Sequence, residues 1–179
     1  HGHTLEQEGR IARYDFLERT RAGVGAQCVA VAHHMDDEAE SVLMHLMRGS
    51  GLAGLTGIKA RRGNIIRPLL CVRRAEIEEY LHSLGVAYCT DETNLIREGT
   101  RNRIRLDVVP YVEKYINPAF TQALCSMAEL VSRDEEYLAK TARDALEAAS
   151  RDGGFEREAL AALPMPILTR AIRIALADI

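Results

Sequence analysis

No apolar run in these 179 residues reaches membrane-spanning length, and no secretory leader is visible: His1-Gly2-His3 leads into a polar, charged stretch where a leader's apolar core would lie. A soluble cytosolic protein is therefore the expectation. Cysteine is sparse and unpaired. Cys28, Cys71, Cys89 and Cys125 form no CxxC pair and no zinc-type spacing, so each is expected to be a small apolar side chain in a reducing compartment. An excess of positive charge is also missing. A net charge of -3 and a pI near 6.1 exclude a chain that coats nucleic acid by bulk charge, so any basic surface has to be local. Internal repeats and low-complexity tracts are absent as well.

The charge that is present is unevenly placed. Residues 1–47 hold 4 Arg/Lys against 8 Asp/Glu, residues 48–105 hold 11 against 6, and residues 106–179 hold 8 against 12. The basic middle stretch is arginine apart from Lys59, and the planar guanidinium fork suits phosphate and carboxylate contacts. With 47% hydrophobic residues the chain can bury a sizeable core.

Periodicity then places the elements. Thr4, Glu6 and Gln7 ahead of Ile11, Tyr14, Phe16 and Leu17 predict a capped amphipathic helix to about Arg21, ended by Gly23 and Gly25. Gln27 to Ala32 reads as a short buried parallel strand. Ala39, Val42, Leu43, Leu46 and Met47 recur at helical spacing over Asp36–Arg48, and Gly49-Ser50-Gly51 stops them. A hairpin is expected from Ile58–Ala60 and Asn64–Ile66, hinged at Arg62-Gly63. A helix over Arg74–Leu84 stopped by Gly85, and a last strand at Val86–Cys89, follow. The rest reads as helix: Arg101–Glu113, Pro118 to about Ser150, Glu156–Leu163 and Pro166–Ala177, with a break near Asp152-Gly153-Gly154. The fold class expected is α/β with an all-helical C-terminal region, divided into an α/β domain over residues 1–105 and a helical linker and appendage over 106–179.

One run concentrates chemistry. Ala32-His33-His34-Met35-Asp36-Asp37-Glu38-Ala39-Glu40 puts two imidazoles and four carboxylates where a strand hands over to a helix, the place where ligands of parallel sheets bind. Asp36 and Glu40 share one helical face, as do Asp37 and Ser41, so a divalent cation on Asp36, Asp37 and Glu40 is one expectation. Helix-capping acids account for Asp36 and Asp37 on plain structural grounds, and Glu38 reads as a surface residue. Capping does not account for the His-His pair before them. A second run, Glu98-Gly99-Thr100-Arg101-Asn102-Arg103-Ile104-Arg105, places three arginines at a helix start, where positive charge is disfavoured unless it has an anion to meet. Arg48-Gly49 is a weaker case, being also a routine helix stop. His45 and His82 are expected to have no role.

The stretch AHHMDDEAESVLMHLMRGSGLAGLTGI resembles the tRNA-isoleucine lysidine synthetases, bacterial members of the ATP-pyrophosphatase family. GRIARYDFL upstream, IIRPLL with RAEIEEYLHSLGVAYCTDETN, and GTRNRIRLDVVPYV extend the likeness over about residues 5–140. The resemblance implies a Rossmann-like parallel sheet of the adenine nucleotide alpha hydrolase type. It also implies a reaction in which ATP adenylates the C2 carbonyl oxygen of a wobble cytidine in tRNA(Ile) with a CAU anticodon. Free lysine then attacks C2 and AMP leaves. Carried over by position, His33, Asp36 and Asp37 would be catalytic, facing ATP, lysine and Mg2+, with Asp36, Asp37 and Glu40 as metal ligands. Arg10, Arg13, Arg48, Arg101, Asn102 and Arg103 would bind substrate. Partners implied are tRNA(Ile), free L-lysine and ATP, with a homodimer as the candidate assembly and no membrane.

One departure from the family pattern is large. The glycine-rich SGGxDS phosphate loop and the strand before it are absent from these 179 residues, so the sheet is expected to be incomplete and the chain alone not to turn over ATP. Truncation is favoured over an inactive relic, because the acidic run is intact. Three alternatives stand beside this reading. A sibling tRNA-thiolating enzyme would normally carry paired cysteines, a dinuclear phosphoesterase would need a second ligand cluster, and a noncatalytic tRNA-binding module would use the basic middle stretch.

Overall fold

The structure, a computed structural model, describes residues 5–89, 97, 99–151 and 153–177, and for residues 5–7 the backbone alone. Thr4, Glu98, Asp152 and the 90–94 part of the family-like stretch lie outside the described residues. Two compact units are present, one of residues 1–41 and 58–122 and the other of residues 42–57 and 123–179.

The first unit opens with α1, Leu5–Gly23, which packs against the short strand β1, Val29–Ala30. Helix α2, Met35–Met47, starts five residues after β1. Strands β2, Arg61–Arg62, and β3, Ile65–Ile66, form a hairpin, and the sheet order is β1-β3-β2. β1 and β3 are parallel, pairing Val29 with Ile65 and Ala30 with Ile66, whereas β2 and β3 are antiparallel. The sheet among the described residues is thus small and mixed, where a parallel sheet was expected. β1 is its edge, and Ala30 is exposed rather than buried as the apolar run implied. The hairpin sits later in the chain than its composition indicated. Gly63, at φ +58°, supplies the left-handed residue of a tight Gly63-Asn64 turn, which makes Arg62 and Ile65 the first pair.

Helix α4 spans Arg74–Ser83 and stops at Gly85, φ +65°, as the spacing predicts. The strand expected at Val86–Cys89 is absent. Val86 and Tyr88 stand 49% and 48% exposed, with no neighbouring strand among the described residues to pair with them. The helix expected over Arg101–Glu113 is interrupted. It runs as α5, Thr100–Arg103, a π-helical turn at Ile104–Val108, and α6, Val109–Tyr115. Pro110 explains the interruption: it has no N–H to donate, and its ring clashes with the carbonyl four residues back in a regular α-helix. The backbone widens there, and the Val109 N–H reaches back five residues to the Ile104 carbonyl.

The second unit contains α3, Leu52–Leu55, within the Gly-rich segment read from sequence as a turn. Helix α7, Phe120–Ala148, enters this unit at Ala123. A small hairpin follows, β4 at Ser150–Arg151 and β5 at Gly154–Phe155, so the C-terminal region is not wholly helical. Gly153, at φ +84°, turns the chain between them. Helices α8, Arg157–Ala161, and α9, Met165–Ala177, complete the unit. Ala142 and Leu146 of α7 pack on Ile167 and Ala171 of α9. Arg170 of α9 grips both oxygens of Glu135 of α7 beside that core, its Nε 3.0 Å from Oε1. His45 spends its Nδ1 on the Gly54 carbonyl at 2.6 Å, a structural contact. No helix among the described residues is long and apolar enough to cross a membrane.

Two fully buried alanines, Ala142 and Ala171, keep α7 and α9 close. Ala171→Leu is expected to overpack this contact and cost about 1–3 kcal/mol, read as a lowered thermal unfolding midpoint.

Candidate functional site

The turn from β1 into α2 builds the site. His33 and His34 leave the strand, and the first helical turn carries Asp36 and Asp37, acids favoured there by the unpaired N–H groups of the helix start. Asp37 Oδ2 accepts the His34 backbone N–H at 3.1 Å. The Ser41 hydroxyl donates back to the Asp37 carbonyl at 2.8 Å. One turn further on, Glu40 is almost wholly buried, at 2% exposure.

A buried carboxylate requires partners. Arg101 places Nε 2.8 Å from Glu40 Oε2 and Nη2 3.1 Å from Asp37 Oδ1. Arg105 places Nε 2.6 Å from Glu40 Oε1 and Nη2 3.2 Å from Asp37 Oδ1. Two guanidinium groups and two carboxylates thus form one charge-assisted lattice between α2 and the α5–π segment. It also explains how Arg101 is tolerated in the first turn of α5: its charge is met by acids from another element.

Asp36 faces a different set. Its Oδ1 accepts from Arg73 Nε at 2.9 Å and its Oδ2 from the Arg74 backbone N–H at 2.8 Å. The His34 ring lies between the two aspartates, Nδ1 3.4 Å from Asp36 Oδ2 and Nε2 3.3 Å from Asp37 Oδ2. The first contact is ionic in distance only, since its angle leaves His34 Nδ1 without a hydrogen bond. Burial alone would raise the Asp36 carboxyl, but His34, the Arg74 N–H and Arg73 together outweigh it and hold its pKa well below the ordinary range.

Two cavities flank this lattice. The larger, a cleft of about 580 Å3, is lined by Arg10, Arg13 and Tyr14 of α1, by Val31, Ala32 and His33 after β1, and by Asp37 and Arg101. Its volume is that of a ligand site. The Arg10 guanidinium lies over the Tyr14 ring, 5.6 Å from its centroid. His33 Nδ1 is buried with no hydrogen-bond partner. Burial lowers the His33 pKa; Asp37 opposes that, while Arg67, Arg101 and Arg10 lower it further, so the ring is neutral at pH 7. The smaller cavity, about 120 Å3, is lined by His34, Asp36, Glu40, Arg74, Arg105, Val109 and Thr121.

The expected site residues therefore separate. Arg10, Arg13, His33, Asp37 and Arg101 meet at the cleft. Asp36 and Glu40 line the smaller cavity instead, which corrects the placement of Asp36 beside His33. Arg103 is exposed, with its Nε on the Arg97 carbonyl at 3.4 Å, and Asn102 is half-buried; neither lines the cleft. Arg48 is exposed and belongs to the second unit. Glu38 is half-buried rather than on the surface. The metal expectation on Asp36, Asp37 and Glu40 does not fit this geometry. Their oxygens already accept N–H donors, three guanidinium groups among them, which repel a cation. Among the described residues no group of three or more His, Cys, Asp or Glu could hold a metal ion.

Sequence reading placed Arg105 in the basic run but not among the substrate-binding residues, and passed over Arg73, Arg67 and Thr121. Arg105 was legible: a helix puts residues four apart on one face, so Arg101 and Arg105 converge while Arg103 points elsewhere. Arg67, buried at the end of β3 with Nη1 on the Lys59 carbonyl at 2.6 Å, had no such signal.

Residues 1–112 match the family model described as the PP-loop domain. The chain is 46% identical to a tRNA(Ile)-lysidine synthase of Bacteroides thetaiotaomicron, over 68% of this chain and 28% of that protein. It is 42% identical to a tRNA(Ile)-lysidine synthase of Parabacteroides distasonis, over 91% of this chain and 37% of that protein. The chain thus spans about a third of the length of these curated relatives. Among solved structures it is similar to the U34-tRNA thiolase NcsA from Methanococcus maripaludis with its [4Fe-4S] cluster, with a TM-score of 0.57, 18% identity, and coverage of 74% of this chain and 45% of that one. That likeness establishes the fold.

Two outcomes follow from the charge lattice. Glu40→Gln leaves Arg101 and Arg105 side by side with half their anionic charge removed, and is expected to cost about 3 kcal/mol, measured by urea denaturation. Asp36 has a folded-state pKa below its ordinary value of 3.8, so its stabilisation is full above that value and is lost as pH falls beneath it. The stability gap between wild type and Asp36→Asn should be widest near neutrality and narrow below about pH 4.

Proposed function

Because this chain belongs to the PP-loop domain family, we propose that it supplies the nucleotide-facing cleft of an ATP-dependent ligase that joins lysine to C2 of the wobble cytidine of tRNA(Ile) bearing a CAU anticodon. One observation carries the reading: three arginines, a neutral histidine and an aspartate converge on one cleft at the end of a strand of the sheet. The names of the relatives at 42–46% identity support the substrate assignment.

In this reaction the cytidine C2 oxygen attacks the α-phosphorus of ATP and pyrophosphate departs. Arg10, Arg13 and Arg101 offset the negative charge gathering on the transferring phosphoryl group. The lysine amine then adds to C2, the bond from C2 to the AMP oxygen breaks, and the proton shed by the amine passes to the His33 ring at the cleft wall. A histidine kept neutral by burial and nearby arginines is suited to accept it. Asp37 fixes the Arg101 guanidinium through Oδ1 at 3.1 Å, so its contribution is to position a charge. ATP is a cosubstrate here; a Mg2+ arriving with it would offset phosphate charge without needing Asp36, Asp37 or Glu40, whose oxygens already accept N–H donors. The four cysteines are free thiols, half-buried or exposed, which gives no observation in favour of a thiolating reading.

The test joins this chain to the phosphate-loop segment of the Parabacteroides relative and follows labelled lysine into tRNA(Ile) with a CAU anticodon. Incorporation is expected, falling about 100-fold or more in Arg101→Met. His33 sets the acid limb: activity should be level above about pH 6.5, the ordinary histidine value, and decline below it, and His33→Gln should remove that limb. Folded, ATP-binding protein that incorporates no lysine would overturn the reading.

A further inference from the structure

We propose that the outward face of α6 is a base-stacking platform for single-stranded RNA. The inference rests on the tRNA reading for its choice of partner but on separate residues for its geometry.

Tyr111 and Tyr115 stand four residues apart on this helix, 60% and 63% exposed, with ring centroids 5.0 Å apart at an interplanar angle of 47°. Lys114 Nζ sits over the Tyr115 ring, 4.9 Å from its centroid. Two large aromatic rings held in solvent beside an ammonium group do nothing for the core. They offer π faces to a base and a cation to the phosphate linking it to the next.

The charge around them is sorted in the same sense. Glu113, the acid of α6, is turned inward, taking a hydrogen bond from the Thr121 hydroxyl at 2.6 Å and lying 3.1 Å from Arg73 Nη2. Asp107 is neutralised by Arg97 at 3.0 Å. Among the described residues the exposed side of the α5–α6 segment is left with Arg103 and Lys114, neither of them ion-paired. A polyanion carrying flat bases uses both the tyrosine faces and the cations that flank them.

The experiment measures binding of a fluorescein-labelled 12-nucleotide oligouridylate, and of a CAU anticodon stem-loop, to the full chain by anisotropy, without nucleotide and across a salt series. Tyr111→Leu/Tyr115→Leu is expected to weaken both at least tenfold, while Tyr111→Phe/Tyr115→Phe stays within about twofold, because stacking needs the ring and not the hydroxyl. Lys114→Gln should lower the salt slope by about one. Circular dichroism and melting should be unchanged in every variant, since these side chains are exposed. Binding by the leucine pair equal to wild type, or no RNA binding at all, would overturn the platform. The lysine-transfer assay is independent of this outcome. Tyrosine-dependent binding without lysine transfer would keep the platform and remove the proposed reaction, and lysine transfer with RNA binding unchanged in the leucine pair would do the reverse.

Discussion

The burial of one carboxylate governs the arrangement of the first unit. Glu40 has almost no access to water, so its charge is sustained only if Arg101 and Arg105, more than sixty residues later in the chain, are brought against it. That demand fixes the α5–π segment against the start of α2, and with it the position of Arg101 at the rim of the cleft. Asp37 takes part from the other side, sharing its Oδ1 between the same two arginines. The cleft's electrostatics follow from this: a cation anchored by buried acids presents fixed positive charge to a ligand without having to reorganise.

The wide turn at Ile104–Val108 belongs to the same constraint. A proline at position 110 would break a regular helix just after Arg105, yet the helix has to continue into α6 to carry Glu113 back to Arg73 and Thr121. Inserting one residue into the turn satisfies the backbone around Pro110 and leaves Arg101 and Arg105 both facing Glu40. His34 plays a comparable part between Asp36 and Asp37, holding two carboxylates a few ångströms from a single ring. The acids of the HHMDDEAE run are therefore partly architecture. Of the residues around it, His33 and Asp37 face the cleft, while Asp36 and Glu40 hold neighbouring elements in place.

Much of this was legible in the sequence because it is local. The helical spacing of Ala39, Val42 and Leu43, the stop at Gly85 and the placement of the His-Asp run at a strand-to-helix turn all follow from periodicity and backbone preference. The family likeness was legible for the same reason, being carried by contiguous runs. The misplacements came where a contact outside the window decides the outcome. Val86–Cys89 has strand composition but no strand beside it among the described residues, and the β1 run reads as buried while Ala30 lies open at a sheet edge.

By itself, then, the sequence determined the helical spacing of α1, α2 and α4, the stop at Gly85, the local excess of arginine and the membership of the PP-loop domain family, since each depends on contiguous residues. Only the tertiary structure decided which acid serves which arginine. Hydrogen-bond geometry and burial across sixty residues gave Glu40 to Arg101 and Arg105 and gave Asp36 to Arg73. His33 was left neutral at the cleft wall, because its state is set first by burial and then by the guanidinium groups that the fold gathers around it.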